Sequence, residues 1–253
     1  MDDKFLCSNI LVDLIDTIAP SPFQSLPNIV PEILDFVIEL YPEVDVLKNW
    51  TIENCDKDSD SLSFLQSILD FTAIKSGKKV TQYLFQDSKV NSLIKDNDWR
   101  KRVLGLELIF YSGEGCFAWF EPILGEILNS ICSLVNDTHP KVRWCICNSI
   151  AQLTTDFGPD IHNNYHHLLF PTVFNLVNDP EEFVRLHAVR AQFNLFSDCP
   201  PEIITLYSGR FIDSMITQLQ DISTVNGDHI QTLASYAEAT SVFEVSILEI
   251  YKD

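Results

Sequence analysis

Two cysteines one residue apart, Cys145 and Cys147, make the pair in this chain that most resembles a metal or redox site. Structural zinc sites usually combine two close cysteine pairs, yet the sequence contains no Cys-x2-Cys pair. On a helix, residues two positions apart point about 200° away from each other, so these two thiols cannot bind one ion. We interpret both as small apolar residues of a helix.

His162 and His166 are four residues apart, a spacing that lets two imidazoles bind zinc from one helix. The glutamate of an HExxH motif is absent, and no third ligand is suggested nearby. We interpret the two histidines as polar residues at the start of a helix, with a metal site or a pH-sensitive contact as the alternatives.

The sequence SGEGC, at 112–116, is rich in glycine but follows a helix and lacks the lysine of a phosphate-binding loop. It therefore indicates a turn between two helices. Glu114 and Cys116 would need an oriented histidine to act as base and nucleophile, and none is indicated. We predict no catalytic residue, no cofactor and no metal, and we expect that the protein is not an enzyme.

The chain is strongly acidic, with 36 acidic and 17 basic residues in 253 and a net charge of −19. Such a surface repels nucleic acid and anionic membranes, and it attracts basic partners over long range. The sequence contains no apolar run of 18 residues that would predict a membrane span. Its seven cysteines lack a regular spacing, which favours reduced thiols over a disulfide framework.

A spaced pair of charged residues, Asp-x5-Arg, recurs along the chain and indicates an internal repeat. Successive aspartates of this pattern are 41 or 42 residues apart. A period near 41 with two helical segments in each unit is typical of HEAT repeats. The pattern consists of Asp96 with Arg102, Asp137 with Arg143, and Asp179 with Arg185, followed by Asp221 without its arginine.

Each aspartate of the pattern lies in the turn before a first helix, where it can accept hydrogen bonds from backbone amides that the helix leaves unpaired. Each arginine lies in the first turns of that helix and can reach the aspartate of its own repeat or of a neighbouring one. We predict that the three pairs form a structural ladder between repeats. A functional arginine cluster is the alternative.

The period predicts an all-α fold, a right-handed α-solenoid of about five to six HEAT repeats over residues 1–253. In one repeat, apolar residues spaced by three or four positions predict a first helix that begins near Pro140 and ends at Gly158. Its apolar face consists of Val142, Ile146, Ile150, Leu153 and Phe157. The repeats cover roughly 2–41, 61–95 (helices 61–75 and 77–95), 98–136, 139–178 and 181–221, with a partial repeat over 224–253.

An acidic insertion at 42–61 is the one place where the sequence does not predict regular structure. We interpret it either as a solvated insertion or as an acidic loop that contacts a basic partner or shields an inner surface. Trp50 within it can anchor the loop or stack on an arginine.

Three stretches carry a family resemblance: DNDWRKRVLGLELIFYSGEGC, LVNDTHPKVRWCICNSIAQLTTDFGP and DPEEFVRLHAVRAQFNLFSDCPPEII. They resemble consecutive HEAT repeats of the importin-β (karyopherin-β) family, most of all the branch of importin five, also called Ran-binding protein five. That branch also has an acidic, tryptophan-containing insertion before a DWRKR-like segment, as EVDVLKNW stands here. The resemblance is specific over about 97–205 and weaker over about 5–96.

The resemblance implies a nuclear transport receptor, which carries cargo with basic nuclear-localisation signals through nuclear pores. Such receptors shuttle between cytoplasm and nucleus and release their cargo when Ran-GTP binds. The resemblance also implies that this chain is an interior block of a longer receptor, without the first repeats where Ran binds in the family. The implied partners are basic cargo proteins and, for the full-length receptor, Ran GTPase and nucleoporins, with no nucleic acid and no membrane.

Cargo in this family contacts the concave face, which the second helix of each repeat lines. The resemblance therefore makes polar positions on these helices the candidate cargo-binding residues. A HEAT-repeat scaffold subunit, such as that of a phosphatase, is the alternative function. The candidates are Glu126, Asn129, Ser133, Asn175, Asn178, Asp213, Thr217 and Gln220.

Overall fold

The computed structural model describes residues 28–54, 59–197 and 199–222, with side chains as far as Thr217. These ranges contain helices and turns and no β-strand, so the predicted all-α fold is confirmed. The predicted helix at 2–19 and the partial repeat at 224–253 lie outside the described residues. The exact bounds of the repeats and the hand of the solenoid stay predictions.

Helices alternate with short turns throughout the described part of the chain. Segments of 3-10 or π-helix connect several of them, at Tyr41–Glu43, Ile52–Asn54, Gln82–Gln86, Glu121–Ile123 and Ile161–Tyr165. The α-helices are α1 (Ile29–Leu40), α2 (Asp45–Lys48), α3 (Asp60–Thr81), α4 (Lys89–Ile94), α5 (Trp99–Ser112), α6 (Phe117–Phe120), α7 (Leu124–Cys132), α8 (Pro140–Asp156), α9 (Gly158–Asp160), α10 (His166–Leu176), α11 (Glu182–Phe196) and α12 (Pro201–Ile222).

Two compact units, residues 1–130 and 131–253, divide the chain. In the first unit, α3 packs against both α1 and α5, and α5 packs against α4. In the second unit, α8 packs along α11, which also contacts α10. Each unit therefore buries its apolar residues by stacking helices side by side, as expected for repeats that cannot form a core alone.

The apolar stripe of α8 shows how the sequence produces this packing. His139 caps the helix, its Nδ1 accepting from the amide of Lys141 at 3.2 Å, and Pro140 occupies the first turn, where a missing N–H costs nothing. All five residues of the predicted apolar face are buried: Val142, Ile146, Ile150, Leu153 and Phe157.

A break in α3 falls at Ser76, whose backbone (φ −152°, ψ 41°) is not helical. It separates the two helical parts where the sequence divides the second repeat. Gly77 follows the break and lies against the SGEGC turn, because a β-carbon built on it would be 2.2 Å from the carbonyl oxygen of Gly115. A β-carbon on Gly115 would in turn be 2.4 Å from the backbone of Ala73. The two glycines thus let two segments of backbone touch.

The acidic insertion is more regular than the sequence predicts. Short helical turns at Tyr41–Glu43, Asp45–Lys48 and Ile52–Asn54 occupy most of it, and Asp60 already begins α3. Two of its side chains are almost fully buried, Val44 at 1% and Leu47 at 2% exposure. Since these two residues pack inward, apolar burial holds the segment in place, while acidic side chains such as Glu43 and Asp45 remain exposed to solvent.

Trp50 anchors the insertion, which was one of its two expected roles. Its ring centroid lies 5.8 Å from that of Trp99, the first residue of α5. Next to it, Arg100 donates from Nη1 to the carbonyl oxygen of Pro42 at 3.0 Å, while its Nη2 lies 2.7 Å from Oδ2 of Asp98. The start of α5 therefore holds the insertion from both sides, through ring packing and through a hydrogen bond.

Within the described residues, no single helix is long and apolar enough to cross a membrane. The segments Trp99–Ser112 and Phe117–Cys132 reach that length and apolar character only when taken together, and the chain bends by 117° between them.

Candidate functional site

The Asp-x5-Arg pattern produces a buried ion pair in the second unit. Arg143 donates from Nε to Oδ2 of Asp179 at 2.5 Å and from Nη2 to Oδ1 at 2.9 Å. Both side chains are largely buried, at 11% and 4% exposure, and the carboxylate raises the pKa of the guanidinium. The third guanidinium nitrogen, Nη1, donates to the carbonyl oxygen of Asp137 at 2.7 Å. One arginine thus connects the turn of its own repeat to the aspartate of the next.

The same arginine-to-carbonyl contact occurs in all three repeats. Arg102 donates to the carbonyl oxygen of Asp96 at 2.9 Å, and Arg185 donates to that of Asp179 at 2.7 Å. These contacts require six residues from aspartate to arginine, because the helix must turn the guanidinium back over its own N-terminus. The side chain of Asp221 lies outside the described part of the chain.

Each described aspartate of the pattern accepts from the backbone amide two residues later. The Oδ1 atoms of Asp96, Asp137 and Asp179 accept from the amides of Asp98, His139 and Glu181 at 2.8 to 2.9 Å. Those amides belong to the residues that cap the helices, so the aspartates order the approach to each helix and are not its N-caps. For Asp96 this backbone hydrogen bond is the main cause that lowers the pKa of the carboxyl.

The candidate cargo-binding residues around α7 are exposed to solvent. Glu126, Asn129 and Ser133 are spaced by three and four residues, so they lie on the same face of α7 and the turn that follows it. The amide nitrogen of Asn129 donates to the carbonyl oxygen of Gly125 at 2.7 Å, which leaves its Oδ1 directed away from that bond. This surface presents a carboxylate and side-chain amide and hydroxyl groups.

The candidates on α10 and just after it are also exposed. Asn175 donates from Nδ2 to Oδ1 of Asn136 at 3.3 Å, which links equivalent segments of two successive repeats. Asn178 donates to the carbonyl oxygen of Phe174 at 2.9 Å. A row of side-chain amides on successive repeats can donate to and accept from the main chain of an extended peptide.

On α12, Asp213 and Thr217 are exposed, and the hydroxyl of Thr217 donates to the carbonyl oxygen of Asp213 at 2.9 Å. Gln220 belongs to the same helix, but its side chain is outside the described part. The sequence did not single out Arg210 as a candidate. The guanidinium carbon of Arg210 is 4.8 Å from the centroid of the Phe174 ring. No local signal reveals this contact, since the two residues are in different repeats.

The cysteine and histidine patterns do not form a site in the described residues. No group of three or more His, Cys, Asp or Glu side chains there could hold a metal ion. Cys145 and Cys147 are both buried in α8, and burial raises the pKa of the Cys147 thiol, which makes it a poor nucleophile. His162 lies in the helical turn Ile161–Tyr165 just before α10, near the predicted helix start, and its side chain is buried at 2% exposure. Its partner in the pattern, His166, has Nδ1 3.1 Å from the hydroxyl of Tyr207.

A second cluster that the sequence interpretation missed lies between α8 and α11. Nδ1 of His187 is 2.9 Å from Oδ1 of Asn148, and its ring packs edge-on against Trp144 at 5.1 Å. The ammonium of Lys141 lies 3.4 Å from the centroid of the Trp144 ring. Burial, and then the charges of Arg190 and Lys141, lower the pKa of His187 to about 4.

We expect this histidine to make the chain less stable in mild acid. The folded state holds His187 neutral down to about pH 4, whereas an unfolded chain protonates it near its usual pKa of 6.5. The unfolded state therefore binds more protons between these values, so the free energy of unfolding should fall by about 2 kcal/mol as the pH drops from 6.5 to 4.

Urea denaturation at several pH values between 7 and about 4 measures this loss. His187→Gln removes the titrating group and keeps a polar side chain that can reach Asn148, so its free energy of unfolding should change less over the same range. If the two proteins lose stability in parallel, His187 does not contribute to the acid response.

Comparisons with known proteins also indicate stacked HEAT repeats. The sequence model of the HEAT repeat matches residues 127–157, which hold most of α7 and all of α8. Importin subunit beta-3 of Saccharomyces cerevisiae is 28% identical over 216 residues, which are 81% of this chain and 19% of that protein. The crystal structure of Kap121p matches with a TM-score of 0.81 and 25% identity, over 96% of this chain and 24% of that chain. Over most of its length the chain is similar to importin-β-type proteins built of HEAT repeats.

Structures of Kap121p with bound partners match this chain as well. Kap121p bound to RanGTP matches with a TM-score of 0.78 and 24% identity, over 96% of this chain and 25% of that one. Kap121p has also been solved with Nup53p, with Pho4p, with Ulp1p and with the extreme C-terminus of Cdc14p. The chain spans about a fifth of importin subunit beta-3 and about a quarter of Kap121p.

Proposed function

We propose that this importin-β-type chain acts in protein import into the nucleus, by binding basic nuclear-localisation signals on the concave face that its second helices line. The proposal is supported by the likeness to Kap121p, a protein solved with Pho4p, Nup53p and RanGTP. On this proposal the full-length receptor shuttles between cytoplasm and nucleus, with Ran GTPase and nucleoporins as further partners.

The observation that carries the proposal is the exposed polar surface of the second helices. Glu126 and Asp213 offer carboxylates for lysine and arginine side chains, and Asn175 and Asn178 offer amides for the peptide main chain. Single ion pairs of this kind are weak on a solvated surface. An extended signal that contacts several repeats at once gains from each of them, and the net charge of −19 draws it to the surface.

The experiment is a fluorescence-anisotropy titration of a labelled lysine-rich signal peptide into the chain, beside a scrambled peptide of equal charge. The test variant is Asp213→Lys, which replaces attraction by repulsion on α12 and should weaken binding roughly tenfold. The matched control is Asp160→Lys, which changes the net charge equally but lies exposed in the turn before the second helix.

Specific binding should persist near 0.15 M salt, where long-range attraction is largely screened. Asp213→Lys should then bind more weakly than Asp160→Lys. If the signal and the scrambled peptide bind alike and salt abolishes both, the chain attracts only positive charge and the proposed cargo surface is wrong. Equal losses in the two variants would lead to the same conclusion.

A further inference from the structure

Arg210 stands out among the second helices that carry the candidate cargo residues. The sequences of α7, α10 and α12 contain no other lysine or arginine. Its side chain is exposed, and it lies one helical turn before Asp213 on the same side of α12. A surface proposed to bind basic signals therefore presents a guanidinium beside a carboxylate.

A group of packed aromatic rings lies beneath Arg210. Its guanidinium carbon is 4.8 Å from the centroid of the Phe174 ring, and Phe174 is 4% exposed. The centroids of the Phe174 and Tyr207 rings are 6.2 Å apart, and Tyr207 stacks on Phe170 at 4.2 Å with an angle of 6° between the rings. On the other side, the Tyr207 hydroxyl lies 3.1 Å from Nδ1 of His166. These contacts fix the ring over which the guanidinium lies.

The hydrogen-bond donors of Arg210 are left unused by this contact. A guanidinium over the face of a ring interacts with the π-electrons, which does not occupy its N–H groups. Within the described residues, Arg210 forms no hydrogen bond and no ion pair, and this includes Asp213. A guanidinium that already has a support loses little freedom when it binds a carboxylate through two parallel hydrogen bonds.

Two candidate cargo residues of α10 and its end lie around the same ring. Asn175 follows Phe174 directly in the sequence, and Asn178 donates to the carbonyl oxygen of Phe174 at 2.9 Å. Both asparagines are exposed. Through its contact with Phe174, Arg210 therefore belongs to the surface that these asparagines and Asp213 form.

We propose that Arg210 determines which basic signals this chain binds, by pairing with an acidic side chain of the cargo two positions from the lysine or arginine that Asp213 binds. This inference rests on the proposed function. Side chains one helical turn apart have β-carbons separated by about 5 to 6 Å. Alternate residues of an extended peptide lie about 6.6 Å apart on one side. One peptide strand can therefore make both contacts.

The same arginine selects against other cargo sequences. A lysine at the acidic position would lie against the guanidinium and be repelled, which lowers the affinity for signals made of lysine alone. A phosphorylated residue is disfavoured there, because its second negative charge would lie beside Asp213. The favoured cargo thus combines basic residues with one aspartate or glutamate.

A double-mutant cycle measured by fluorescence anisotropy tests the pairing. The first probe is the fluorescein-labelled peptide Gly-Lys-Lys-Ala-Glu-Ala-Lys-Lys-Gly, which has a lysine two positions from the glutamate on each side. The second probe has glutamine in place of the glutamate, and a third has phosphoserine. All are titrated near 0.15 M salt into the full chain and into Arg210→Gln. The matched control is Arg190→Gln, which removes the same charge from an exposed position on α11.

We expect the unchanged chain to bind the glutamate peptide at least as tightly as the glutamine peptide. In Arg210→Gln, the affinity for the glutamate peptide relative to the glutamine peptide should fall about fivefold, the upper end for an exposed ion pair. Arg190→Gln should leave this ratio unchanged. The phosphoserine peptide should depend less on Arg210 than the glutamate peptide does.

An unchanged ratio in Arg210→Gln would overturn the inference. An equal fall in Arg190→Gln would do the same, since only the net charge would then matter. A stronger dependence of the phosphoserine peptide on Arg210 would identify a phosphate as the occupant and contradict the choice of a carboxylate.

The glutamine peptide separates this inference from the proposed function. Its saturable binding, weakened in Asp213→Lys, supports the cargo surface whatever ratio Arg210→Gln gives. If no peptide binds saturably, the proposed function and the role of Arg210 are both wrong.

Discussion

Replacing Gly115 by alanine is expected to lower the free energy of unfolding by about 3 kcal/mol, which is at the upper end for an overpacked site. The new β-carbon would be 2.4 Å from the backbone of Ala73 and Ile74. Backbone atoms cannot move aside as the end of a side chain can, so the SGEGC turn must separate from α3. Chemical denaturation with urea measures the loss as a lower midpoint.

Gly209→Ala is the matched control for this substitution. Gly209 lies inside α12, and a β-carbon there meets nothing within 4 Å. Because alanine is the better helix former, this variant should be more stable by about 0.5 to 1 kcal/mol. If Gly115→Ala unfolds at the same urea concentration as the unchanged chain, the close packing of the SGEGC turn on α3 does not require glycine at this position.

Replacing Arg143 by methionine is expected to cost about 3 to 5 kcal/mol, because the Asp179 carboxylate is then left buried without its cation. The side chain of Asp179 is 4% exposed, and Arg143 provides it with two hydrogen bonds. Methionine fills much of the same space and cannot donate, so the variant removes the charge with little change of volume. The free energy of unfolding again comes from urea denaturation.

Arg185→Met is the control that distinguishes the effect of the ion pair from that of the arginine-to-carbonyl hydrogen bond, which Arg143 and Arg185 both make. Nη1 of Arg185 donates to the carbonyl oxygens of Asp179 and Pro180, and no carboxylate contact of Arg185 is seen among the described side chains, which do not include that of Asp221. Its loss should cost about 1 kcal/mol, the usual net value of a hydrogen bond. If Arg143→Met costs no more than Arg185→Met, the buried pair does not stabilise the packing of these repeats.

Much of the fold follows from two periods in the sequence. Apolar residues three and four apart define the buried face of α8, and the recurrence of Asp-x5-Arg every 41 or 42 residues indicates stacked repeats of two helices. Both signals are local or nearly so. The same helical phase places Glu126 and Asn129 among the exposed residues, as the interpretation of the second helices requires.

Features that depend on contacts between distant segments were not predictable in the same way. The contact of Gly77 with Gly115 joins residues of two repeats, and each glycine alone indicates only a turn. The order of residues 42–54 depends on Trp99 and Arg100, which lie beyond the insertion that they hold. His187 looks like an ordinary residue of a helix until Asn148 and Trp144 are placed beside it.

The reach of Arg143 also determines where this chain tolerates a change of length. An extra residue between Asp137 and Arg143 would rotate the guanidinium by about 100° around the helix axis and break its contacts with both aspartates. All three pairs accordingly keep five intervening residues, while the spacing between pairs varies from 41 to 42. Insertions and deletions should therefore be accepted in the turn at Gly158–Asp160, where a β-carbon built on Gly158 would meet nothing within 4 Å, and rejected at 138–142.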